Sequence, residues 1–402
     1  MNPNIQDLYR IAQKTERNII GLMSGTSLDG LDVAYCKIAD SGTNTKATVI
    51  HFTTVPYDEA TKAEIRKVFA KKTIDFQHLA LLNEWIGILH GKMVLECLKQ
   101  WQLTSHDVDL IASHGQTVMH APKSLHQQDK FPNATLQIGD GDHLAVTTQC
   151  ITISDFRQKH LAAGGEGAPL AVYGDYFLFH SSTENRILLN IGGIANFTLL
   201  PKSGSFASVF VTDTGTGNTL MDAYTRLHFP ELSFDKNAAI ASTGTINESL
   251  LQALKSDAFF SVAFPKSTGP ELFSRDYLDK ALIASQTLEL KVADVLATLT
   301  RFSAETIAEG ILEVTEKRVA KTDSTSIYVS GGGIHNPLLM MYLNELLPYS
   351  VQPIQLLGID GDAKEALLFA LLANECVAGT LNNSQKANSI PIISMGKTSF
   401  PS

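Results

Sequence analysis

Ser24-Gly25-Thr26-Ser27-Leu28-Asp29-Gly30-Leu31 puts three hydroxyls, two glycines and a carboxylate into one short loop. Backbone N–H groups at such a loop, with glycines that let the main chain come close, suit phosphate oxygens. Asp29 beside them suits a hydrated magnesium ion, which takes one or two carboxylates and keeps several waters. Alone, a loop of this composition is equally an ordinary hairpin turn. Three further turns change that reading: Asn190-Ile-Gly192-Gly193, Asp213-Thr-Gly215-Thr-Gly217-Asn218 and Gly331-Gly332-Gly333-Ile-His-Asn336. Each follows a short apolar run. Four such turns read as the walls of one nucleotide cleft between two related halves. Asp213 ends the run 209–212, which would set its carboxylate at the carboxyl edge of a sheet, where open α/β sheets bind ligands. There it is a candidate general base; the competing role is an Asx turn that caps the next helix.

A second group of residues could meet an anionic substrate. Arg157 and Lys159 follow the apolar run 151–155 and would project toward the cleft. A guanidinium there can grip a carboxylate with two parallel hydrogen bonds; the alternative is a helix cap and a linker. His114 and Gln116 sit in Ser113-His-Gly-Gln-Thr117, at the end of another buried run. His114 and His120 are spaced wrongly to share one helix face, and no third ligand is evident, so a structural or substrate-contacting histidine is expected rather than a metal site. Pro265-Lys-Ser-Thr-Gly269 lacks the glycines of G-x-x-x-x-G-K-[ST], and Gly215-Thr-Gly217 lacks the third glycine of a dinucleotide fingerprint.

The elements that must position these residues follow from periodicity. The runs 19–24 and 31–35 form a hairpin, 47–52 a third strand and 109–112 a buried one, and 58–102 reads as helix with Trp85 in the core. The second half repeats the plan, with strands at 186–191, 195–200, 207–212 and 326–330 and helices at 291–319 and 337–346. A chain of 402 residues implies two domains. The Gly/Pro-rich segment 163–169 marks the boundary, giving domains at 1–156 with a returning tail at about 385–402, and at 157–384. A net charge of −9 argues against nucleic acid and acidic membrane surfaces as partners. Four scattered cysteines, no signal peptide and no long apolar run point to a cytoplasmic protein.

The motifs G-L-M-S-G-T-S-L-D-G at 21–30, S-H-G-Q-T at 113–117, D-F-R at 155–157, A-G-G-E-G-A-P-L at 163–170, N-I-G-G at 190–193, D-T-G-T-G-N at 213–218, P-K-S-T-G at 265–269 and G-G-G-I-H-N at 331–336 occur in order. Together they resemble the anhydro-N-acetylmuramic acid kinase family, within the sugar kinase, actin and heat-shock chaperone superfamily. The resemblance implies an α/β fold of two lobes, actin-like (ribonuclease H-like) duplicated domains with a central interdomain cleft. It implies ATP and Mg2+ as cofactors, an anhydro amino sugar acid as substrate, and a homodimer. Asp213 would be the catalytic base, and Glu365, near the start of a helix, an assisting acid; Glu365 could also simply stabilise the helix dipole.

Three departures bear on the sugar pocket: His160 stands where D-F-R-x-x-D has its second acid, Thr216 replaces a proline, and 171–175 differs from the family's V-P-A-F-H. An ordinary sugar kinase acting on a free hydroxyl and a nucleotide-binding sensor without catalysis are the alternative readings.

Overall fold

The computed structural model describes residues 1–269, 271–358, 361, 363–379, 386–387, 390–391 and 393–402. The chain forms two compact units, Met1–Leu178 with Asp362–Ser402, and Phe179–Gly361.

In the first unit the strands are β1 (Glu16–Ser24), β2 (Gly30–Ala39), β3 (Lys46–Pro56), β4 (Leu110–Ala121), β5 (Ala134–Ile138) and β6 (Thr152–Ser154). They run in the order β3-β2-β1-β4-β6, with Lys397–Ser399 beyond β6 and β5 beside β4. β1 is antiparallel to β2 and β2 to β3, whereas β1 and β4, and β4 and β6, are parallel. The central strands are covered on both faces, which is why they read as continuous apolar runs. Ile19, Ile20, Leu22, Leu110, Ile111 and Ala112 are all buried. One face takes the helix Phe76–Gln100, whose start is fixed by the Asp75 carboxylate accepting from His78 N–H. Its Leu82, Ile86 and Val94 join Ile20, Leu22 and Ile111 in one core.

Gly21 points to the opposite face, because side chains alternate along a strand. There it meets the helix Lys364–Ala378 so closely that an added Cβ would stand 1.9 Å from the Ala366 carbonyl oxygen.

The second unit repeats the plan with β7 (Asn185–Ile191), β8 (Ile194–Leu200), β9 (Phe210–Thr216), β10 (Thr325–Ser330) and β11 (Ser350–Pro353), in the order β9-β8-β7-β10-β11. Again the first three are antiparallel neighbours and the last two are parallel additions. The long helix Val292–Arg318 covers the sheet through Ala304, Ile307, Ile311 and Val314. Two sheets of identical order and direction are the duplicated α/β plan that the motifs implied.

The structure departs from the sequence reading in four places. The helical pattern over 58–102 is two helices, Glu59–Arg66 and Phe76–Gln100, separated where Ala70 takes a φ of 54° and Asp75 starts the second. Trp85, expected in the core, is 40% exposed. The first unit also continues past 156 to Leu178 and takes in the helix Lys364–Ala378, while the expected return point at 384–385 lies outside the described residues. The segment 163–169 that reads as a linker is tied down on several sides. Gly167 N–H donates to His160 Nδ1, Arg157 Nη1 donates to Gly167 C=O, and Asn133 Nδ2 donates to Gly165 C=O.

Because the atom facing Gly21 is backbone, no side-chain rotation relieves a larger residue. Gly21→Ala is therefore expected to destabilise the protein by about 1–3 kcal/mol. Urea unfolding checks this, and an unchanged midpoint would contradict the close approach of β1 to the helix.

Candidate active site

In the second unit the glycine turns gather at one edge of the sheet. β7, β9 and β10 point the same way, so the turns at 192–193, 217–218 and 331–333 all follow carboxyl ends. Main-chain bonds lock them together: Gly217 N–H donates to Gly193 C=O (2.7 Å), and Asn218 N–H to Gly192 C=O (2.8 Å). A Cβ on Gly217 would lie 2.3 Å from Gly192 O, and one on Gly331, at a φ of 83°, would lie 2.7 Å from Ile191 O. Only glycine fits either place. Gly215, Gly217 and Gly333 are buried and shape the edge, whereas Gly192, Gly193, Asn218, Gly331, Gly332 and Asn336 reach the surface.

Asp213 lies within β9, which runs on to Thr216 rather than stopping at 212. A bulge falls beside it: Asn196 pairs with Asp213 and Ala195 with Gly215, which leaves Thr214 over. Such bulges re-aim side chains. The segment 266–268 holds the aspartate from the outside, since β9 is the edge strand. Asp213 N–H donates to Lys266 C=O at 3.0 Å, and Thr268 N–H donates to Asp213 Oδ2 at 2.8 Å. Burial raises the Asp213 carboxyl above its ordinary value, and the Thr268 amide pulls only partly the other way. Among the described residues no cation pairs with it; Lys266 turns instead onto the rings of Phe259 and Phe264. A carboxylate so placed, with one oxygen fixed and its basicity raised, can accept a proton.

Beside the turns is a cavity of about 390 Å³ lined by Asn218, Asp222, Lys236, Gly332, His335 and Asn336, among others. Asp222, Lys236 and His335 were not singled out from the sequence. Asp222 stands in the first turn of the helix Thr219–His228, half-buried, with its carboxyl raised to about 6 by burial. The signal available was its place one turn after the Gly217-Asn218 pair.

In the first unit the hairpin Ser24–Leu31 divides by exposure. Thr26, Ser27 and Asp29 are exposed and Gly25 is half-buried, while Ser24, Leu28, Gly30 and Leu31 are buried. Asp29 Oδ1 accepts from Ser27 Oγ at 2.7 Å and from Gly30 N–H at 3.0 Å, which braces the tip. Among the described residues no cluster of three histidine, cysteine or acidic side chains could hold a metal. A magnesium ion that keeps its waters and the phosphates needs no such cluster, so Asp29 alone remains compatible with one.

Arg157, at the start of the helix Phe156–Ala162, donates through Nε to His114 Nε2 (2.8 Å) and through Nη1 to Gly167 C=O (2.6 Å). Burial first, and then the Arg157 charge, lower the His114 imidazole to about 3, so it is neutral and accepts. His114 is thereby a support for Arg157. Gln116 is fully buried with its amide engaged internally, and Lys159 is exposed. His160 is buried under the 163–169 segment, which accounts for a histidine where the family pattern has an acid.

Glu365 sits in the first turn of the helix Lys364–Ala378. Crowding by protein atoms and the charge of Asp32 raise its carboxyl, and Arg157 opposes them. The side chain is still exposed, so water screens all three. The first unit thus brings Glu365, Arg157 and His114 into one neighbourhood, and the second does the same for Asp213 and the three glycine turns.

The sequence profile of the anhydro-N-acetylmuramic acid kinases matches residues 17–390. The anhydro-N-acetylmuramic acid kinase of Pseudoalteromonas atlantica is 55% identical, covering 100% of both chains. That of Pseudoalteromonas translucida is 53% identical, again over 100% of both. A more distant relative of the same name, from Caldanaerobacter subterraneus, is 38% identical over 98% of this chain and 99% of its own. Similarity of this extent, running through every turn described above, makes the chain a member of the anhydro-N-acetylmuramic acid kinase family.

Proposed function

We propose that this kinase uses ATP to open 1,6-anhydro-N-acetylmuramic acid with water and to phosphorylate the oxygen released at position 6. The observation that carries the mechanism is Asp213, half-buried at the glycine-turn edge with one oxygen held by Thr268 N–H and, among the described residues, no cation paired with it.

The substrate has no free hydroxyl at position 6, so a kinase acting on it must first make one. Asp213 takes a proton from water, and the water oxygen bonds to the anomeric carbon. The bond from that carbon to the bridging oxygen breaks, and the freed oxygen takes the γ-phosphoryl group from ATP, leaving ADP. One carboxylate therefore serves both events. The barrier to phosphoryl transfer falls mainly through positioning and charge stabilisation.

The glycine turns of the second unit and the tip Gly25–Asp29 are assigned to ATP. The cavity with Asp222, Lys236 and Asn336 takes its nucleoside. Mg2+ would be held from Asp29, and when bound it supplies positive charge to the phosphates. Arg157, braced by His114, is assigned to the substrate carboxylate, and Lys159 to the same anionic end. Glu365 assists as a second acid. Among the described residues no helix is long and apolar enough to cross a membrane. We place the reaction in the cytoplasm, where ATP is available, and expect a homodimer, which mass measurement in solution would test.

Three outcomes are expected. Asp213→Asn should lower kcat by about 10²–10⁴-fold while ATP still binds; full turnover would remove the base assignment. Asp213 must be ionised to act and its carboxyl is raised, so kcat/KM should fall on the acid side at a pH above the ordinary value of about 4. A pH profile flat through that region would contradict this. Turnover in heavy-oxygen water should put one solvent oxygen on the anomeric carbon and one phosphate on the product. Phosphorylation without the solvent label would point to an ordinary hydroxyl kinase.

A further inference from the structure

We infer that Tyr57 and His90 are positioning residues for the phosphate-binding tip of the first hairpin, acting through Ser24 and Gln116. Neither lies in a motif or is used in the mechanism above, and both are buried, at 3% and 1% exposure. The inference rests on the proposed assignment of Gly25–Asp29 to the nucleotide phosphates.

The contacts form one continuous chain. His90 Nε2 lies 2.6 Å from the Tyr57 hydroxyl, and that hydroxyl lies 2.9 Å from Ser24 Oγ. Ser24 Oγ is 2.6 Å from Gln116 Oε1, and Gln116 Nε2 donates to Gly25 C=O (3.0 Å) and Thr117 C=O (3.1 Å). The Tyr57 backbone N–H also donates to Asp29 C=O at 3.0 Å. Tyr57 therefore grips the tip on both limbs.

Hydrogen counting gives the chain a direction. Two carbonyl oxygens beside one end of the Gln116 amide can only accept, so that end is its NH2 and the other is its oxygen. Ser24 must then give its single proton to Oε1, and it receives one from Tyr57. Tyr57, having given its proton to Ser24, must accept from His90 Nε2. Burial lowers the His90 imidazole to about 4, so it is neutral and carries one N–H. Its Nδ1 is buried and has no hydrogen-bond partner among the described residues. With the proton on Nε2, Nδ1 is only a bare acceptor, whereas the other tautomer would leave a buried N–H unpaired at greater cost. Every hydroxyl donates once and accepts once, from His90 to Gly25.

The end of the chain is what matters to a ligand. A trans peptide points its C=O and N–H in opposite directions. Gln116 holds the Gly25 carbonyl inward, which turns the Thr26 N–H outward, toward the exposed side chains of Thr26 and Ser27. If the hydroxyl of Tyr57 is lost, Ser24 can rotate its proton to the nearby Gly30 C=O (3.1 Å). Gln116 then loses its donor, the Gly25 carbonyl relies more on the longer bond from Leu28 N–H (3.4 Å), and the Gly25–Thr26 peptide is held less firmly.

The test compares full-length wild type with Tyr57→Phe, His90→Leu, His90→Gln and Asp29→Asn, measuring kcat, KM for ATP, KM for the anhydro sugar and the melting temperature. Tyr57→Phe and His90→Leu should raise KM for ATP about three- to tenfold, the worth of one net hydrogen bond, and leave KM for the sugar unchanged. His90→Gln, which can present an amide N–H near the Nε2 position, should recover most of the ATP affinity. A lower melting temperature with both KM values unchanged would mean a purely structural network and overturn the inference. If Asp29→Asn raises KM for ATP and Tyr57→Phe does not, the positioning role alone fails; if neither does, the phosphate assignment fails with it. Should Tyr57→Phe not fold, His90→Leu is read in the same way.

Discussion

Main-chain atoms approaching one another without intervening side chains is the constraint on which this molecule depends. Gly21 lets β1 lie against the backbone of the helix Lys364–Ala378, and Gly217 lets the turn after β9 lie on the carbonyl of Gly192. Gly331 does the same against Ile191. Each approach is a matter of backbone geometry: the first seats the opening turn of the helix that carries Glu365, and the others assemble the edge beside Asp213. Amide and carbonyl groups so arranged pair with one another across the turns.

The two units solve the same problem differently. In the second, the turns hold each other through backbone bonds between Gly192, Gly193, Gly217 and Asn218. In the first, two buried side chains, Ser24 and Gln116, brace the equivalent hairpin, beside a backbone bond from Tyr57 N–H to Asp29 C=O. Duplication of the sheet carried over the strand order but not the means of bracing its tips.

Much of this was legible in the sequence because it is local. Apolar runs entering glycine-bearing turns mark the central strands of both sheets, and the triplet at 331–333 marks the end of β10. What could not be read was contact between distant segments. The segment 163–169 has the composition of a linker, and its ties to His160, Arg157 and Asn133 are invisible in the chain. Gln116 and His114 stood out as polar residues at a strand end, yet burial turns both inward, to Ser24 and Arg157. Asp222, a lone acid in a helix, has no local signature, and the cavity around it is what distinguishes it. Trp85 is exposed because Leu82, Ile86 and Val94 take the buried face of its helix, and an aromatic residue beside that face looks like core in the sequence.

The setting of Asp213 also has an evolutionary side. Its hydrogen-bond partner is an amide of the polypeptide, Thr268 N–H, and its neighbour across the strand gap is another, the carbonyl of Lys266. Codon changes that swap side chains at 266 or 268 leave those groups in place. The orientation of this carboxyl is thus inherited with the path of the chain, whereas its raised proton affinity is set mainly by the residues that bury it and can drift as they change.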